Sequence, residues 1–307
     1  GQSVWRSEDS GDSWDRATGG DLYMEADIRS LAIHPTNRSV IYAGTGSGCC
    51  RSDDSGSQWS HLPSPMDSVP IWELVFHPQN PEIMFAGTRP ANVYRTGDGG
   101  RSWDRLNTGM SADCPPIVHT RVTTIRFDPS NPDNIFAGVE IDGLYNSCDG
   151  GETWTVHKDG LNSEDVHALA ISHGAPGRIL ASTNAGLCIS EDDGENWSNL
   201  KINAVFPWGY CRGVLAWNQR LLVGNGSGPP GDGGSIQYST DAGETWTQAI
   251  LSHPPNSTIW DFTHSTAVPG LLFSYSVSGQ VFRSRDMGQS WEKLPREFGE
   301  IRAISAL

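Results

Sequence analysis

The chain has 307 residues, of which 36% are apolar and 19% charged, with 35 glycines and 19 prolines. This composition is typical of a globular, turn-rich protein and excludes disordered and collagen-like chains. The formal charge of −15 disfavours DNA, RNA and anionic membranes as partners, because their phosphates would be repelled.

An octet with the pattern Ser/Thr-x-Asp-x-Gly-x-x-Trp recurs from one end of the chain to the other. Its seven copies begin at Ser7, Ser52, Thr96, Ser147, Ser190, Ser239 and Ser284. The tryptophans that end successive copies are 43 to 51 residues apart. A repeat of this length, set between short apolar runs, is the pattern of a β-propeller or a related array.

Short runs rich in β-branched and aromatic residues surround each octet, and glycine, proline, asparagine or aspartate ends most of them. The first run of each unit, strand A, lies at 28–35, 71–78, 122–129, 166–173, 211–218, 259–266 and 301–307. Strand B follows at 40–45, 83–88, 134–139, 178–183, 220–225 and 271–276. Strand C precedes the octet and strand D follows its tryptophan, so each unit is predicted to form one four-stranded propeller blade.

The octet lies in the predicted hairpin between strands C and D. Its hydroxyl and carboxylate groups are short acceptors for backbone N–H groups that a tight turn leaves unpaired, and its glycine permits a positive φ. A catalytic residue that is needed once would not be repeated seven times. We therefore assign Asp149 and its equivalents to turn formation rather than to catalysis.

The octets resemble the Asp box, or bacterial neuraminidase repeat, and the resemblance covers the whole chain. Families that carry this repeat include sialidases, xyloglucan-cleaving glycosidases, sortilin-type receptors and a photosystem II assembly factor. Their functions differ, so the resemblance implies a β-propeller fold and not an activity. A typical sialidase is not expected, because that family has six blades and an early Arg-Ile-Pro motif that this sequence lacks. A two-propeller xyloglucanase is not expected either, since one ring is predicted.

Seven C–D hairpins and seven A strands predict an all-β fold in which 1–307 form a single seven-bladed β-propeller with Asp boxes in the C–D hairpins. The last blade is expected to combine strands C and D from residues 4–17 with strand A from 301–307. Such a join of N- and C-terminal strands closes the ring without a free edge. Its strand B would precede Gly1, or else this blade would have three strands.

The A–B and C–D connections share one face of such a ring, and the octets lie there. The opposite face carries the unequal loops 107–121, 201–212 and 224–234, and unequal loops at one end of a regular scaffold are where sites usually lie. Near this face we expect the following residues to bind a substrate: Arg29, Trp72, Arg89, Arg121, Trp208, Tyr210, Arg212, Trp260 and Arg302.

Converging arginines favour an anion, because a guanidinium group forms two charge-assisted hydrogen bonds to a carboxylate, phosphate or sulfate. The tryptophans would stack on a ring or a sugar. The predicted acid–base residues are His167, which Glu140 would orient, and also Glu73 and Asp261. The alternative is that these arginines and acids only neutralise one another as a polar plug.

The sequence leaves two functions open. The first is an enzyme, a hydrolase or lyase, that uses acid–base chemistry on a small anionic, cyclic or aromatic substrate in the central channel. The second is a non-catalytic scaffold or assembly factor that binds a ligand or a protein. No cofactor or metal is expected, since the six cysteines show no zinc spacing and are predicted to be reduced and mostly buried. The alternative is a metal site that uses Cys114, His119 or Cys211. Without a signal-peptide pattern or roughly 20 consecutive apolar residues, the expected location is the cytoplasm.

Overall fold

The computed structural model describes residues 3–17, 19–172, 178–217 and 219–306. Within these residues the chain forms β-strands and one short 3₁₀ helix, Ile202–Ala204. The chain divides into two compact units, Gly1–Val156 and His157–Leu307. In the part of the chain that is described, no helix is long and apolar enough to cross a membrane.

The first unit begins with a two-stranded hairpin formed by β1 (Trp5–Arg6) and β2 (Asp15–Arg16). Sheet 1 contains β3 (Ile28–Ile33), β4 (Ile41–Thr45), β5 (Gly48–Ser52) and β6 (Ser60–Leu62). Sheet 2 contains β7 (Ile71–Phe76), β8 (Met84–Thr88), β9 (Val93–Thr96) and β10 (Asp104–Arg105). A short hairpin follows, formed by β11 (Asp113–Cys114) and β12 (Val118–His119). Sheet 3 contains β13 (Val122–Phe127), β14 (Ile135–Val139), β15 (Gly143–Ser147) and β16 (Thr155–His157), which crosses the unit boundary.

The second unit contains three further sheets. Sheet 4 consists of β17 (Val166–Ser172), β18 (Arg178–Thr183), β19 (Gly186–Ser190) and β20 (Ser198–Asn199). Sheet 5 consists of β21 (Tyr210–Trp217), β22 (Arg220–Gly226), β23 (Gly234–Ser239) and β24 (Thr247–Gln248). Sheet 6 has five strands, β25 (Ile250–Leu251), β26 (Ile259–His264), β27 (Leu272–Ser276), β28 (Gln280–Ser284) and β29 (Ser290–Glu297). The additional strand, β25, pairs with β29 in parallel.

The predicted seventh blade differs from the structure. Its C and D strands form the hairpin β1–β2, but residues 301–306 are not in a strand, and Leu307 lies outside the described residues. The segment bonds to sheet 6 instead, since Ile301 N–H donates to the Val277 carbonyl oxygen at 3.0 Å and the Tyr275 hydroxyl donates to the Arg302 carbonyl oxygen at 2.8 Å. The described residues therefore form six blade-like sheets rather than seven.

The core lies between neighbouring sheets of each unit. Tyr42 of sheet 1 belongs to one buried cluster with Met84 of sheet 2, and Leu222 of sheet 5 belongs to another with Phe262 of sheet 6. All six cysteines are free, and four of them are buried, namely Cys49, Cys50, Cys188 and Cys211. The thiols are therefore mostly buried, as predicted, while their reduced state stays a prediction.

Each octet closes the turn between strands C and D of its hairpin or sheet. In the copy that begins at Ser147, the hydroxyl of Ser147 accepts the Gly151 N–H at 2.8 Å and donates to Asp149 at 2.8 Å. Asp149 also accepts the Thr153 backbone N–H at 2.9 Å, and Trp154 Nε1–H donates to the Gly151 carbonyl at 3.0 Å. Hydrogen bonds from Thr153, and then from Ser147, lower the pKa of Asp149 to about 2. The carboxylate is therefore bound into the turn.

The fourth residue of an octet joins the turn to its surroundings in five of the seven copies. Its φ is positive in all seven copies, between 56° and 70°, a conformation in which the carbonyl oxygen points out of the turn. In five copies this oxygen accepts a side-chain hydrogen bond from the preceding sheet or hairpin of the same unit. The pairs are Arg6 to Ser55, Tyr42 to Gly99, Arg95 to Gly150, Arg178 to Ala242 and Arg220 to Met287. We call these contacts the turn joints.

Candidate functional site

A register shift typical of a β-bulge interrupts strand A of each of the six sheets near its beginning, namely β3, β7, β13, β17, β21 and β26. The pairing between strands A and B skips the following residues of strand A: Arg29, Trp72, Thr123, His167, Arg212 with Gly213, and Trp260. A bulge adds an unpaired residue, bends the strand and changes the direction of the side chain. The bulges therefore place many of the predicted binding residues at equivalent positions in the six sheets.

Trp72 lies between two arginines in the first unit. The guanidinium carbon of Arg29 is 4.3 Å from the centroid of the Trp72 ring, and that of Arg121 is 4.0 Å from it. These distances are well within the range of cation–π attraction. We call Arg29, Trp72 and Arg121 the first stack.

Carboxylates neutralise both arginines of the first stack. Arg29 forms an ion pair with Asp27, and Arg121 forms one with Glu140. The side chains of Arg121 and Glu140 are only 12% and 14% exposed, so this pair is largely removed from water. The first stack is therefore balanced in charge, as the polar-plug interpretation expects.

Two further predicted residues of the first unit are also held by neighbours. Glu73 forms an ion pair with Arg126 at 2.7 Å, a partner that the sequence analysis did not identify. Arg89 donates to the Ile117 carbonyl oxygen at 2.9 Å and so holds the loop that contains β11 and β12. These contacts give both residues a structural role.

Trp260 has a similar arrangement in the second unit. The guanidinium carbon of Arg212 is 4.1 Å from the centroid of the Trp260 ring, and that of Arg302 is 5.2 Å from it. We call Arg212, Trp260 and Arg302 the second stack. Gly213 permits this contact, because a Cβ at this position would lie 2.6 Å from Asp261 Cα and 2.8 Å from the Trp260 carbonyl oxygen. The bulge of β21 can therefore press closely against β26.

The charges of the second stack are balanced differently. Arg302 forms an ion pair with Glu300. Arg212 is 6% exposed, and within the described ranges it forms no ion pair with a carboxylate. Burying a guanidinium ion is unfavourable unless a counter-charge and hydrogen bonds compensate it. Arg212 is therefore the predicted residue with the strongest physical reason to contact an anionic ligand.

His167 lies close to Arg212 and is the most deeply buried of the predicted acid–base residues. Its side chain is 1% exposed, with Nδ1 2.7 Å from the Cys211 carbonyl oxygen and Nε2 3.4 Å from Asp165 Oδ2. Burial, followed by the charge of Arg212, lowers the pKa of His167 to about 4. The carboxylate beside this ring is Asp165 and not the predicted Glu140, which forms an ion pair with Arg121 in the first unit.

The remaining predicted residues lie in the second unit. The Tyr210 ring centroid is 5.0 Å from that of His167, and the Trp208 ring packs over Gly233. Asp261 Oδ1 accepts the N–H of the following residue at 2.8 Å. The residues of this unit that the ion pairs, ring contacts and cation–π contacts connect are Asp165, His167, Tyr210, Arg212, Trp260, Glu300 and Arg302. In the described ranges, no group of three or more His, Cys, Asp or Glu side chains is arranged to hold a metal ion.

Comparisons with known proteins support a β-propeller fold. The Sortilin-Vps10 family (sortilin, neurotensin receptor 3) matches residues 2–111, less than half of the chain. The chain is 23% identical to sortilin of Mus musculus over 320 residues, a match that covers 96% of this chain and 36% of sortilin. It is 25% identical over 265 residues to the photosystem II assembly lipoprotein Ycf48 of Synechococcus sp. (strain CC9902), which covers 83% of this chain and 72% of that protein.

A solved structure gives the same result for the fold. The GH74 xyloglucanase from Xanthomonas campestris superposes with a TM-score of 0.70 at 15% identity, covering 95% of this chain and 51% of that chain. The chain spans little more than a third of the length of the sortilins that it matches. Similarity at this level shows the fold and leaves the activity open.

Proposed function

We propose that this protein binds a small anionic ligand in its second unit, with Arg212 as the main contact. The observation that carries the proposal is the buried guanidinium group of Arg212, which is 6% exposed and has no carboxylate ion-pair partner among the described residues. A carboxylate, phosphate or sulfate would supply the missing charge and two hydrogen bonds. Trp260 and Tyr210 would offer aromatic faces to a cyclic part of the ligand.

An enzymatic role, as a hydrolase or lyase, is the second candidate. It is favoured by the Asp165–His167 pair near Arg212 and by the similarity of the chain to a xyloglucanase. A general acid or base must come within hydrogen-bonding distance of the substrate. The side chain of Asp165 is 16% exposed and that of His167 is 1% exposed. In such an enzyme Asp165 would act on the substrate, and His167 would position it.

Binding without catalysis is the form that the geometry supports better. Two of the predicted acid–base residues, Glu73 and Glu140, are held in ion pairs with arginines of the first unit. Asp261 bonds to its own strand, and His167 is buried. The similar proteins include both a xyloglucanase and an assembly lipoprotein, so they do not decide between the two roles. A scaffold that binds an anionic group of a ligand or protein is therefore our first choice.

Calorimetric titration with inorganic sulfate and with small carboxylates tests the binding. Arg212→Gln should weaken binding by about tenfold or more, because hydrogen bonds to a charged group are lost. The matched control is Arg220→Gln, since Arg220 lies on the next strand and donates to the Met287 carbonyl at 3.1 Å. This variant should bind the anions as the wild type does. Equal binding by the wild type and Arg212→Gln would contradict the proposal.

A separate assay distinguishes the two candidates. The wild type is incubated with xyloglucan oligosaccharides and with aryl glycosides that carry a carboxylate, and product release is followed. An enzyme should lose turnover in Asp165→Asn while still binding sulfate, because the acid–base group alone is removed. If the wild type binds sulfate and shows no turnover of these substrates, the scaffold role is favoured.

A further inference from the structure

His167 and Asp165 face each other in a way that favours one shared proton. The Cys211 carbonyl oxygen can only accept a hydrogen bond, so Nδ1 of His167, at 2.7 Å from it, must donate. In a neutral imidazole Nε2 then carries a lone pair, and it faces Asp165 Oδ2 at 3.4 Å. An ionised carboxylate is also only an acceptor. A proton on either atom turns two opposed acceptors into a hydrogen bond.

Three segments of the second unit contribute polar or charged groups around His167. The segment before β17 contributes Asp165 and the exposed Glu164, which forms an ion pair with Lys158 at 2.9 Å. β21 contributes Arg212, together with the neutral Tyr210 and the Cys211 thiol, whose pKa is raised by burial. The paired strand β18 contributes uncharged side chains opposite His167, Ser182 and Thr183. Arg212 and Asp165 are therefore the charges that respond most directly to this proton.

The proton changes the balance of charge at Arg212. When the Asp165–His167 pair holds the proton, the pair is neutral overall and Arg212 is an uncompensated cation. When the proton leaves, Asp165 is negative and offsets Arg212 through space. The attraction of Arg212 for an external anion is then weaker, because like charges repel and the local dielectric is low.

We propose that the Asp165–His167 pair is a proton-operated control of anion binding at Arg212. The site binds an anion tightly while the pair holds its proton and weakly after the proton has left. This inference rests on the proposed function, since it concerns the regulation of the same site. By linkage, a bound anion must in turn increase the affinity of the pair for its proton.

The titration range follows from the surroundings of the ring. Burial and Arg212 lower the pKa of His167 to about 4, while Asp165 acts in the opposite direction. Two groups so close together titrate as one unit. We therefore expect anion affinity to fall as the pH rises from about 4 towards 7, and not in the alkaline range.

Sulfate titrations across this range test the control, because sulfate keeps its charge throughout. For the wild type we expect about a tenfold loss of affinity from acidic to neutral pH, a usual size for coupling between two sites. In Asp165→Asn the amide donates to His167 Nε2 without a titrating charge, so the affinity should be independent of pH and close to the acidic wild-type value. Glu164→Gln removes the same charge from the adjacent residue and should keep the wild-type pH dependence.

The outcomes separate the two proposals. A pH-independent affinity that is still lost in Arg212→Gln would overturn the control and leave the proposed function standing. Absence of Arg212-dependent sulfate binding at every pH would overturn both. If Asp165→Asn does not fold, the ¹⁵N shift of His167 Nε2 in the wild type provides the test. Sulfate should raise the pH at which this nitrogen titrates, and an unchanged midpoint would contradict the control.

Discussion

The two units carry similar Arg–Trp–Arg stacks with different charges around them. Guanidinium carbons lie 4.0 and 4.3 Å from the tryptophan centroid in the first stack, and 4.1 and 5.2 Å from it in the second. In the first stack each arginine has its own carboxylate, whereas in the second Arg212 has none within ion-pair distance among the described residues. Both units thus pack guanidinium groups against a tryptophan ring. The nearby carboxylates decide whether such a guanidinium group still needs a negative charge from a ligand.

A second difference lies in the bulges themselves. β13 contributes Thr123, whose hydroxyl donates to the Gly138 carbonyl at 3.1 Å, while β17 contributes His167 at the equivalent position. Threonine does not titrate, whereas a buried imidazole changes charge in the acidic range. Only the stack of the second unit therefore has a proton-binding bulge residue beside it, and the following changes test this contrast.

The largest expected effect is a loss of stability when the first stack is broken. Arg121→Gln should lower the free energy of unfolding by about 3 kcal/mol, because it leaves Glu140 largely buried without its cation. Urea unfolding followed by tryptophan fluorescence measures this change. The double variant Arg121→Gln/Glu140→Gln should recover much of the loss, since neither charge then remains.

The corresponding change in the second stack should behave in the opposite way. Arg212→Gln removes a buried cation that has no carboxylate ion-pair partner in the described ranges, so the free energy of unfolding should stay nearly constant or increase. A loss of stability in Arg212→Gln as large as that in Arg121→Gln would mean that both stacks are structural plugs.

The next effect is on stability as a function of pH. The pKa of His167 is about 4 in the folded protein, compared with 6.5 for an ordinary histidine, so the unfolded chain takes up the proton first as the pH falls. His167 therefore makes the fold less stable between about pH 6.5 and 4, by at most roughly 3 kcal/mol. Urea unfolding at a series of pH values measures this effect. Between about pH 6.5 and 4, the free energy of unfolding should fall more steeply for the wild type than for His167→Asn. If both proteins lose stability equally over this range, His167 is not held neutral in the fold.

A smaller effect should appear when the first stack is given the charge balance of the second. Glu140→Gln leaves Arg121 stacked on Trp72 without its carboxylate. The change should raise the affinity for sulfate about fivefold relative to the same protein without it, the lower end of the usual range for the interaction between two sites. Calorimetry in an Arg212→Gln background isolates the new site. No gain of binding would show that the stack geometry, and not only the charge, differs between the units.

The smallest effect should be the same in both units. Asp149→Ala and Asp241→Ala each remove a carboxylate that accepts hydrogen bonds within an octet, so each should lower the melting temperature slightly and leave sulfate binding unchanged. The pKa of each carboxylate is lowered to about 2, so this contribution is present above about pH 4 and is lost as the pH falls towards 2. Loss of sulfate binding in a folded Asp149→Ala protein would contradict the structural assignment of the octet.

Features that depend on residues near each other in sequence could be predicted. The hydrogen bonds that form within an octet join residues no more than four positions apart, as from Gly151 to Ser147. The A strands of the six sheets (β3, β7, β13, β17, β21 and β26) begin at the predicted residue or within one residue of it. The pairing of Asp165 with His167 was missed, although the two residues are only two positions apart, because Asp165 lies just before β17 and a bulge at His167 interrupts the alternation of the strand.

Features that depend on the pairing of distant strands could not be predicted. The partner of Glu73 is Arg126, 53 residues away in the next sheet, and nothing in strand A distinguishes it from other residues of the strand. The bulges depend on the register with the second strand, which a single strand does not specify. The segment 301–306 has the pattern of a strand A, but its backbone bonds to Val277 of sheet 6, so the expected closing strand is not formed.

The turn joints have a consequence for how such a chain can change in evolution. Each joint uses a side chain from one sheet and the same outward carbonyl oxygen of the next octet, as between Arg95 and Gly150. Duplication or deletion of a repeat would therefore keep a donor and an acceptor at the new boundary wherever the two repeats that meet carry such a pair. At those boundaries a change in the number of repeats needs no new complementary surface, while residues such as Arg212 are free to diverge in each copy.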